Sequence, residues 1–287
     1  MGRVAIITDS ASCLPTGLQD RYGIETVSLS YQFGSSSYLD NVSLSADEFY
    51  ALLKASRRLP TTASPGPGPF LEAFRLAHSR GAQEMLCIVT GSTLTSTHRA
   101  ACQGAELAQE ELPDARIRVL DSRCAAASLG FVVLAAARVA DSGGSLEDAV
   151  AAAQDVVPRA HMVGMLDTLD YLAKGGRVPR VTAWLSSLVQ VKPLFEFYEG
   201  RVSQLGAVRT RGRALARLLD LMRRHLNGGR PLHVAVFHSR SFLDAEQLAR
   251  RVEQEFQPAE LYVTEFSQVM SIHSGPGLVG LAFYDEP

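Results

Sequence analysis

Cysteine and long apolar runs are scarce in this chain, and each scarcity excludes a class of protein. The four cysteines among 287 residues have no metal-type spacing, so neither a disulfide framework nor a zinc site is predicted. The longest apolar stretch, near Phe131 to Ala137, is too short to span a bilayer. The start of the sequence has no apolar core of signal-peptide length. We therefore expect a cytoplasmic protein without stable membrane insertion.

Charge and motif content exclude further classes. With 28 basic and 30 acidic residues the formal net charge is -2, which argues against a nucleic-acid binder. A P-loop, a His-Glu-x-x-His pair and a Gly-x-Ser-x-Gly elbow are all missing. Gly275, Gly277 and Gly280 have the dinucleotide-binding spacing, but too few residues follow them for the required helix and strand. No cofactor, no metal and no catalytic residue are predicted.

Strand and helix patterns alternate along the chain, which is typical of an α/β protein. The length favours two domains, and we predict them at residues 1–157 and 158–287, because Pro158 ends a predicted helix there. The first strand is predicted at Arg3 to Ile7 and the second at Glu25 to Tyr31. Glu199-Gly200, between two apolar runs, indicates a hairpin, so the second domain begins with antiparallel strands.

Two hydroxyl-rich segments follow or precede predicted helices. Thr90 to Thr97 supply six hydroxyl groups between a buried strand and a helix, which suits a small anion held by neutral donors. The alternative is a simple helix cap. The run TTASPGPGPF, up to Phe70, is predicted to be a stiff loop without regular structure that presents Thr62 and Ser64, or else a rigid linker.

Two further polar residues have a functional and a structural interpretation. Asp9, after the first strand, is either catalytic or a turn and cap residue, and the second interpretation is favoured. His273 is predicted to end a strand, immediately before Ser274-Gly275-Pro276-Gly277, where the glycines let the backbone approach a ligand. A lone histidine is otherwise a structural residue.

Read together, these motifs resemble the DegV family over nearly the whole chain. The matching segments, in the family's order and spacing, are TDSAS, TTASPGPGPF, STLTST, LDSR, DTLDYLAKGGRV, the Lys-Pro strand and HSGPGLVG. The resemblance implies two α/β domains, the first with a mainly parallel sheet and the second with a mixed sheet. It places a ligand tunnel at their interface.

The resemblance also implies a carrier of a fatty acid of about 16 to 18 carbons, whose tail burial at about 0.8 kcal/mol per CH2 group supplies on the order of 12 kcal/mol. By motif match, Thr62, Thr95 and His273 hold its carboxylate. The implied partners are a separate ATP-binding fatty acid kinase subunit, which makes the acyl phosphate, and an acyltransferase that uses it in bacterial phospholipid metabolism. Arg177 and Arg209 would contact the kinase or the phosphate near the tunnel mouth, or else are surface arginines.

The chain departs from the family pattern in both head-group segments. Thr62-Ala63-Ser64-Pro65-Gly66 stands where relatives read Thr-Ser-x-Pro-Ser, and Leu94-Thr95-Ser96-Thr97 stands where they read Leu-Ser-Gly-Thr. Ser96 requires an ordinary backbone conformation at a position where relatives have glycine. Two alternatives remain: a lipid esterase that uses a hydroxyl nucleophile with His273 as base, and a module that binds a different small ligand.

Overall fold

Three sheets organise the chain in a computed structural model that describes residues 4–177, 191–226 and 228–286. The strands of the first two sheets are β1 Ala5–Asp9, β2 Glu25–Val27, β3 Ser30–Phe33, β4 Ser36–Leu39, β5 Thr61–Ala63, β6 Glu84–Val89 and β7 Arg116–Asp121. The first sheet is parallel throughout, in the order β2-β1-β6-β7. A small antiparallel sheet has the order β4-β3-β5.

The third sheet is mixed, in the order β10-β9-β8-β13-β11-β12. Only its β11 and β12 pair in parallel, and the other neighbours are antiparallel. Its strands are β8 His161–Met165, β9 Lys192–Tyr198, β10 Arg201–Val208, β11 Leu232–His238, β12 Glu260–Glu265 and β13 Val279–Asp285. The predicted α/β class, with a parallel first sheet and a mixed second sheet, is confirmed.

Helices cover the sheets, and two of them start at capping boxes. Ser45 with Glu48, and Ser145 with Asp148, form capping boxes that satisfy the first backbone N–H groups. The helices are α1 Thr16–Tyr22, α2 Ala46–Ala55, α3 Pro67–Ser79, α4 Thr97–Glu111, α5 Ala126–Asp141, α6 Leu146–Val156, α7 Asp170–Gly175, α8 Arg211–His225, α9 Phe242–Phe256 and α10 Gln268–Ser274. None of the helices described is both long enough and apolar enough to cross a bilayer.

Helix α5 connects the two large sheets through a shared core. Twelve of its residues are buried, including Phe131 and Leu134, so the helix is packed on nearly all sides. It contacts β1 and β6 of the parallel sheet and β8 and β13 of the mixed sheet. The predicted boundary at residues 157 and 158 lies just after α6 and remains a prediction.

Three local predictions differ from the structure. The strand expected at Glu25 to Tyr31 is split into β2 and β3, which belong to different sheets. The segment TTASPGPGPF is regular at both ends, because Thr61–Ala63 pairs with β3 and Pro67 starts α3 at a position where its missing N–H is harmless. Only residues 64–66 between them form a loop. His273 lies in α10 and not at the end of a strand. Arg3, the first residue of the first predicted strand, lies outside the described residues.

Candidate ligand-binding site

A cavity of about 450 Å³ lies where loops of the parallel sheet meet the small sheet and the mixed sheet. Its volume falls within the range of small-molecule sites. One part of the lining is polar and the remainder is apolar. The polar lining residues are Thr62, Ser64, Thr90, Thr95, Ser96, Arg177, His273 and Ser274.

The polar end of the cavity centres on Thr62 and His273. Thr62 lies in β5 opposite Tyr31 of β3, and its Oγ1 is 3.0 Å from His273 Nε2. Helix α10, which carries His273, begins at a cap where Ser267 Oγ accepts from the Met270 N–H. Residues far apart in sequence, both selected by motif match, thus form one hydrogen-bonded pair.

Close packing of α7 against α10 fixes the His273 ring. A Cβ atom at Gly175 would lie 2.6 Å from His273 Nδ1, so only glycine allows this approach. Burial, reinforced by the Arg177 guanidinium, lowers the pKa of His273 to about 4. The imidazole is therefore neutral at neutral pH. Within the described part of the chain its Nδ1 has no hydrogen-bond partner.

Arg177 joins this polar end directly. Its Nη2 donates to Thr62 Oγ1 at 3.1 Å and its Nη1 to the Gly175 carbonyl at 2.9 Å. A guanidinium therefore lines the same cavity as the hydroxyl groups. Arg209 is exposed and lies outside the cavity lining.

A second cluster of hydroxyl side chains in the site lies at the start of α4. Thr95 Oγ1 is 2.6 Å from Ser64 Oγ and 2.8 Å from Thr97 Oγ1, and Ser96 Oγ donates to Ser64 Oγ at 3.1 Å. Ser96 has φ of -84° and ψ of 8°, so a residue with a side chain fits without strain. Sequence reasoning noted Ser64 in its segment but did not pair it with Thr95.

Asp9 holds the neighbouring loop in place. Its carboxylate is fully buried and accepts from the Thr90 N–H at 2.7 Å, the Thr90 hydroxyl at 2.9 Å and the Ala11 N–H at 3.0 Å. Burial raises its pKa to about 6. These contacts occupy the carboxylate with the backbone, in agreement with the cap interpretation.

The sequence analysis did not identify the individual residues that form the apolar wall of the cavity. Side chains alternate along a strand, so Phe195 and Phe197 of β9, with Met162 of β8, face the cavity together. Alternation in the run LFEFY carried this signal, but it could not tell which face borders a ligand. The remaining apolar lining residues include Leu29, Leu94, Leu166, Leu172, Val202, Phe266, Val269 and Met270.

Comparisons with known proteins agree with this architecture. The family model described as uncharacterised proteins of the DegV family matches residues 3–286. A DegV domain-containing protein of Streptomyces coelicolor is 36% identical over 279 residues, 97% of each chain. A solved structure on fatty acid binding by a DegV family protein from Thermus thermophilus is 28% identical, covers 99% of this chain and 100% of its own, and has a TM-score of 0.90. DegV from Bacillus subtilis, a fatty acid binding protein, is 25% identical over the whole of both chains, with a TM-score of 0.86.

Proposed function

The chain belongs to the DegV family, and from this membership we propose that it is a cytoplasmic carrier that binds a long-chain fatty acid in its cavity. The observation that carries the proposal is the asymmetry of the cavity. Polar lining residues form hydrogen-bonded clusters around Thr62 and Thr95, and aromatic and aliphatic side chains form much of the rest of the wall. That division matches a molecule with one polar end and a long apolar tail.

The tail supplies most of the affinity in this proposal. Each buried CH2 group contributes about 0.8 kcal/mol before the cost of ordering the chain. The head group still needs hydrogen-bond donors, because a buried carboxylate without partners is costly. Thr62, Arg177 and His273 donate to the carboxylate, and Thr95 adds a hydroxyl from the neighbouring cluster.

The carboxylate end would be delivered to a separate ATP-dependent fatty acid kinase, and the acyl phosphate to an acyltransferase. Arg177 can contact both the carboxylate and the arriving phosphate, because a guanidinium binds either anion through paired N–H groups. Exposed Arg209 would contact the kinase alone. Arg177→Ala is therefore expected to lower both fatty acid affinity and acyl-phosphate formation by an added kinase, whereas Arg209→Ala lowers only the second.

Mass spectrometry of the purified protein, native and after organic extraction, tests the carrier function. Wild type is expected to hold close to one fatty acid per chain, whereas Thr62→Val and His273→Gln hold clearly less. Thr61→Val is the matched control for the first variant, because Thr61 is the exposed neighbour in β5. An empty protein that also fails to take up added fatty acid would contradict the proposal.

One distance favours the esterase as a second candidate. Thr62 Oγ1 and His273 Nε2 lie 3.0 Å apart, which is within reach of a nucleophile and its base. His273 Nδ1, however, has no acidic partner among the described residues to orient the ring. Turnover of a chromogenic acyl ester that is lost in Thr62→Val would support hydrolysis, and absence of turnover would leave the carrier.

A further inference from the structure

Three side chains from distant segments converge on the mixed sheet, away from the fatty acid cavity. His161 begins β8, Glu196 lies within β9, and His225 ends α8. One nitrogen or oxygen atom of each lies within 4.8 Å of those of the other two. Among the residues the structure describes, this is the one such group of three histidine, cysteine or acidic side chains. We propose that it is a binding site for a divalent transition-metal ion of the Zn²⁺ type.

The spacing suits tetrahedral coordination. Glu196 Oε1 is 3.2 Å from His225 Nε2 and 3.6 Å from His161 Nδ1. Two ligand atoms bonded to zinc at about 2.1 Å with a tetrahedral angle lie about 3.4 Å apart. These two separations lie on either side of this value. The imidazole rings of His161 and His225, with centroids 4.2 Å apart, would turn relative to each other to bring the third pair of atoms into coordination.

Two of the three ligand atoms are buried without a hydrogen bond. His161 Nδ1 and Glu196 Oε1 make none within the described chain, and the carboxylate oxygen faces both imidazoles at ion-pair distance. A buried polar atom without a hydrogen bond is costly, and a bound cation would remove that cost for both atoms at once. The geometry of the pair therefore suits a cation between them.

The donor set and its surroundings fit zinc chemistry. Two imidazoles and one carboxylate are a common zinc set, and they leave a fourth position for water or another ligand. A small cavity of about 170 Å³ borders His161 and His225, and Arg159 lies in the same lining. The His161 ring stacks on Tyr198 with 4.4 Å between the ring centroids.

The site lies on the back of the fatty acid cavity wall. Glu196 alternates along β9 with Phe195 and Phe197, which line that cavity, and so faces the opposite side of the sheet, toward α8. A bound ion would tie β8 and β9 to the end of α8. It would act as a clamp on the strands that shape the cavity, separate from the head-group residues.

Metal titration of the untagged full chain tests the site. After treatment with a chelator and desalting, Co²⁺ is titrated by its visible absorption and Zn²⁺ by competition with a chromophoric chelator. We expect one ion per chain. Glu196→Gln and His225→Gln should each weaken the Zn²⁺ affinity by about tenfold or more, since loss of one ligand removes a third of the set.

Two matched controls separate this site from adventitious binding. His78→Gln removes a histidine that faces a single carboxylate, Asp114, at 3.3 Å. Cys102→Ser removes a thiol that lies 3.7 Å from His98. Both should keep the wild-type affinity and the one-ion stoichiometry.

Three results would overturn the proposal: no binding by wild type, unchanged affinity in both site variants, or loss of affinity in a control. Circular dichroism of each metal-free variant checks folding, and the two site variants are independent, so one misfolded variant leaves the other decisive. The readout uses no lipid, so its failure is distinguishable from failure of the carrier function.

Discussion

At His273, burial and the neighbouring Arg177 guanidinium both lower the pKa of the side chain. Both disfavour the imidazolium, and together they lower the pKa to about 4. The neutral ring can donate from only one nitrogen, and Nε2 is the nitrogen that faces Thr62. The residue is thus a neutral hydrogen-bonding group at the polar end, and the positive charge there belongs to Arg177.

The lowered pKa of His273 predicts an acid-sensitive contribution to stability. The unfolded chain protonates this histidine near pH 6.5 and the folded chain only near 4, so the unfolded state binds more protons between these values. Stability from this group is present above pH 6.5 and is lost as the pH falls toward 4. Between pH 7 and pH 4.5, the stability difference between wild type and His273→Gln should shift by about 2 kcal/mol against wild type.

Urea unfolding of wild type and His273→Gln at pH 7 and pH 4.5 measures this shift. Buried Asp9 contributes with the opposite sign, because burial raises its pKa to about 6, so the wild-type curve alone is not diagnostic. Asp9 is present in both proteins and cancels in the difference. A difference that does not change with pH would contradict the assignment of a neutral buried histidine.

At the scale of elements, the packing between β8 and β9 depends on one small residue, Gly164. Gly164 pairs with Phe195, and a Cβ atom at Gly164 would lie 2.6 Å from the Phe195 ring. The missing side chain gives that ring the space it occupies beside the cavity. The width of the cavity is therefore set by a backbone position that makes no polar contact with the site.

Gly164→Ala is predicted to push the Phe195 ring toward the cavity and to shift bound acyl chains toward shorter lengths. The profile of extracted fatty acids, by mass spectrometry, measures the shift. Gly212→Ala is the control, since nothing lies within 4 Å of a Cβ atom there and alanine suits its position in α8. An unchanged profile in Gly164→Ala would mean that Phe195 does not limit the tail.

At the scale of the whole molecule, α5 makes the two large sheets interdependent. Its buried residues share one core with strands of both sheets, so neither sheet keeps its full core without it. We predict a single cooperative unfolding transition for the full chain. Equal calorimetric and van't Hoff enthalpies would support this, and two resolved transitions would contradict it.

A substitution that shortens one buried side chain of α5 tests the shared core. Leu134 is fully buried, so Leu134→Ala should lower the free energy of unfolding by about 2–5 kcal/mol while the transition remains single. Leu107 of α4 is 42% exposed, and Leu107→Ala should cost less than about 1 kcal/mol. Chemical denaturation followed by circular dichroism compares the two. A transition that splits in Leu134→Ala would show that the halves are only loosely coupled.

The α/β class could be predicted from the sequence, because short windows of sequence encode it. Period-two and period-3.6 patterns depend on neighbours along the chain, as do capping boxes such as Ser45 with Glu48. The ordered motifs identified the family and selected Thr62 and His273. Capping and periodicity are local interactions, and local interactions are readable without a fold.

The contacts that those residues make depend on the tertiary structure. The hydrogen bond from β5 to α10, the guanidinium of Arg177 beside Thr62 and the cavity wall on β8 and β9 all join residues far apart in sequence. The same holds for the group His161, Glu196 and His225. Even the regularity of Thr61–Ala63 comes from pairing with β3 and overrides its proline-rich context. Packing between distant segments creates these contacts, and the spacing of residues along one stretch of the chain does not specify that packing.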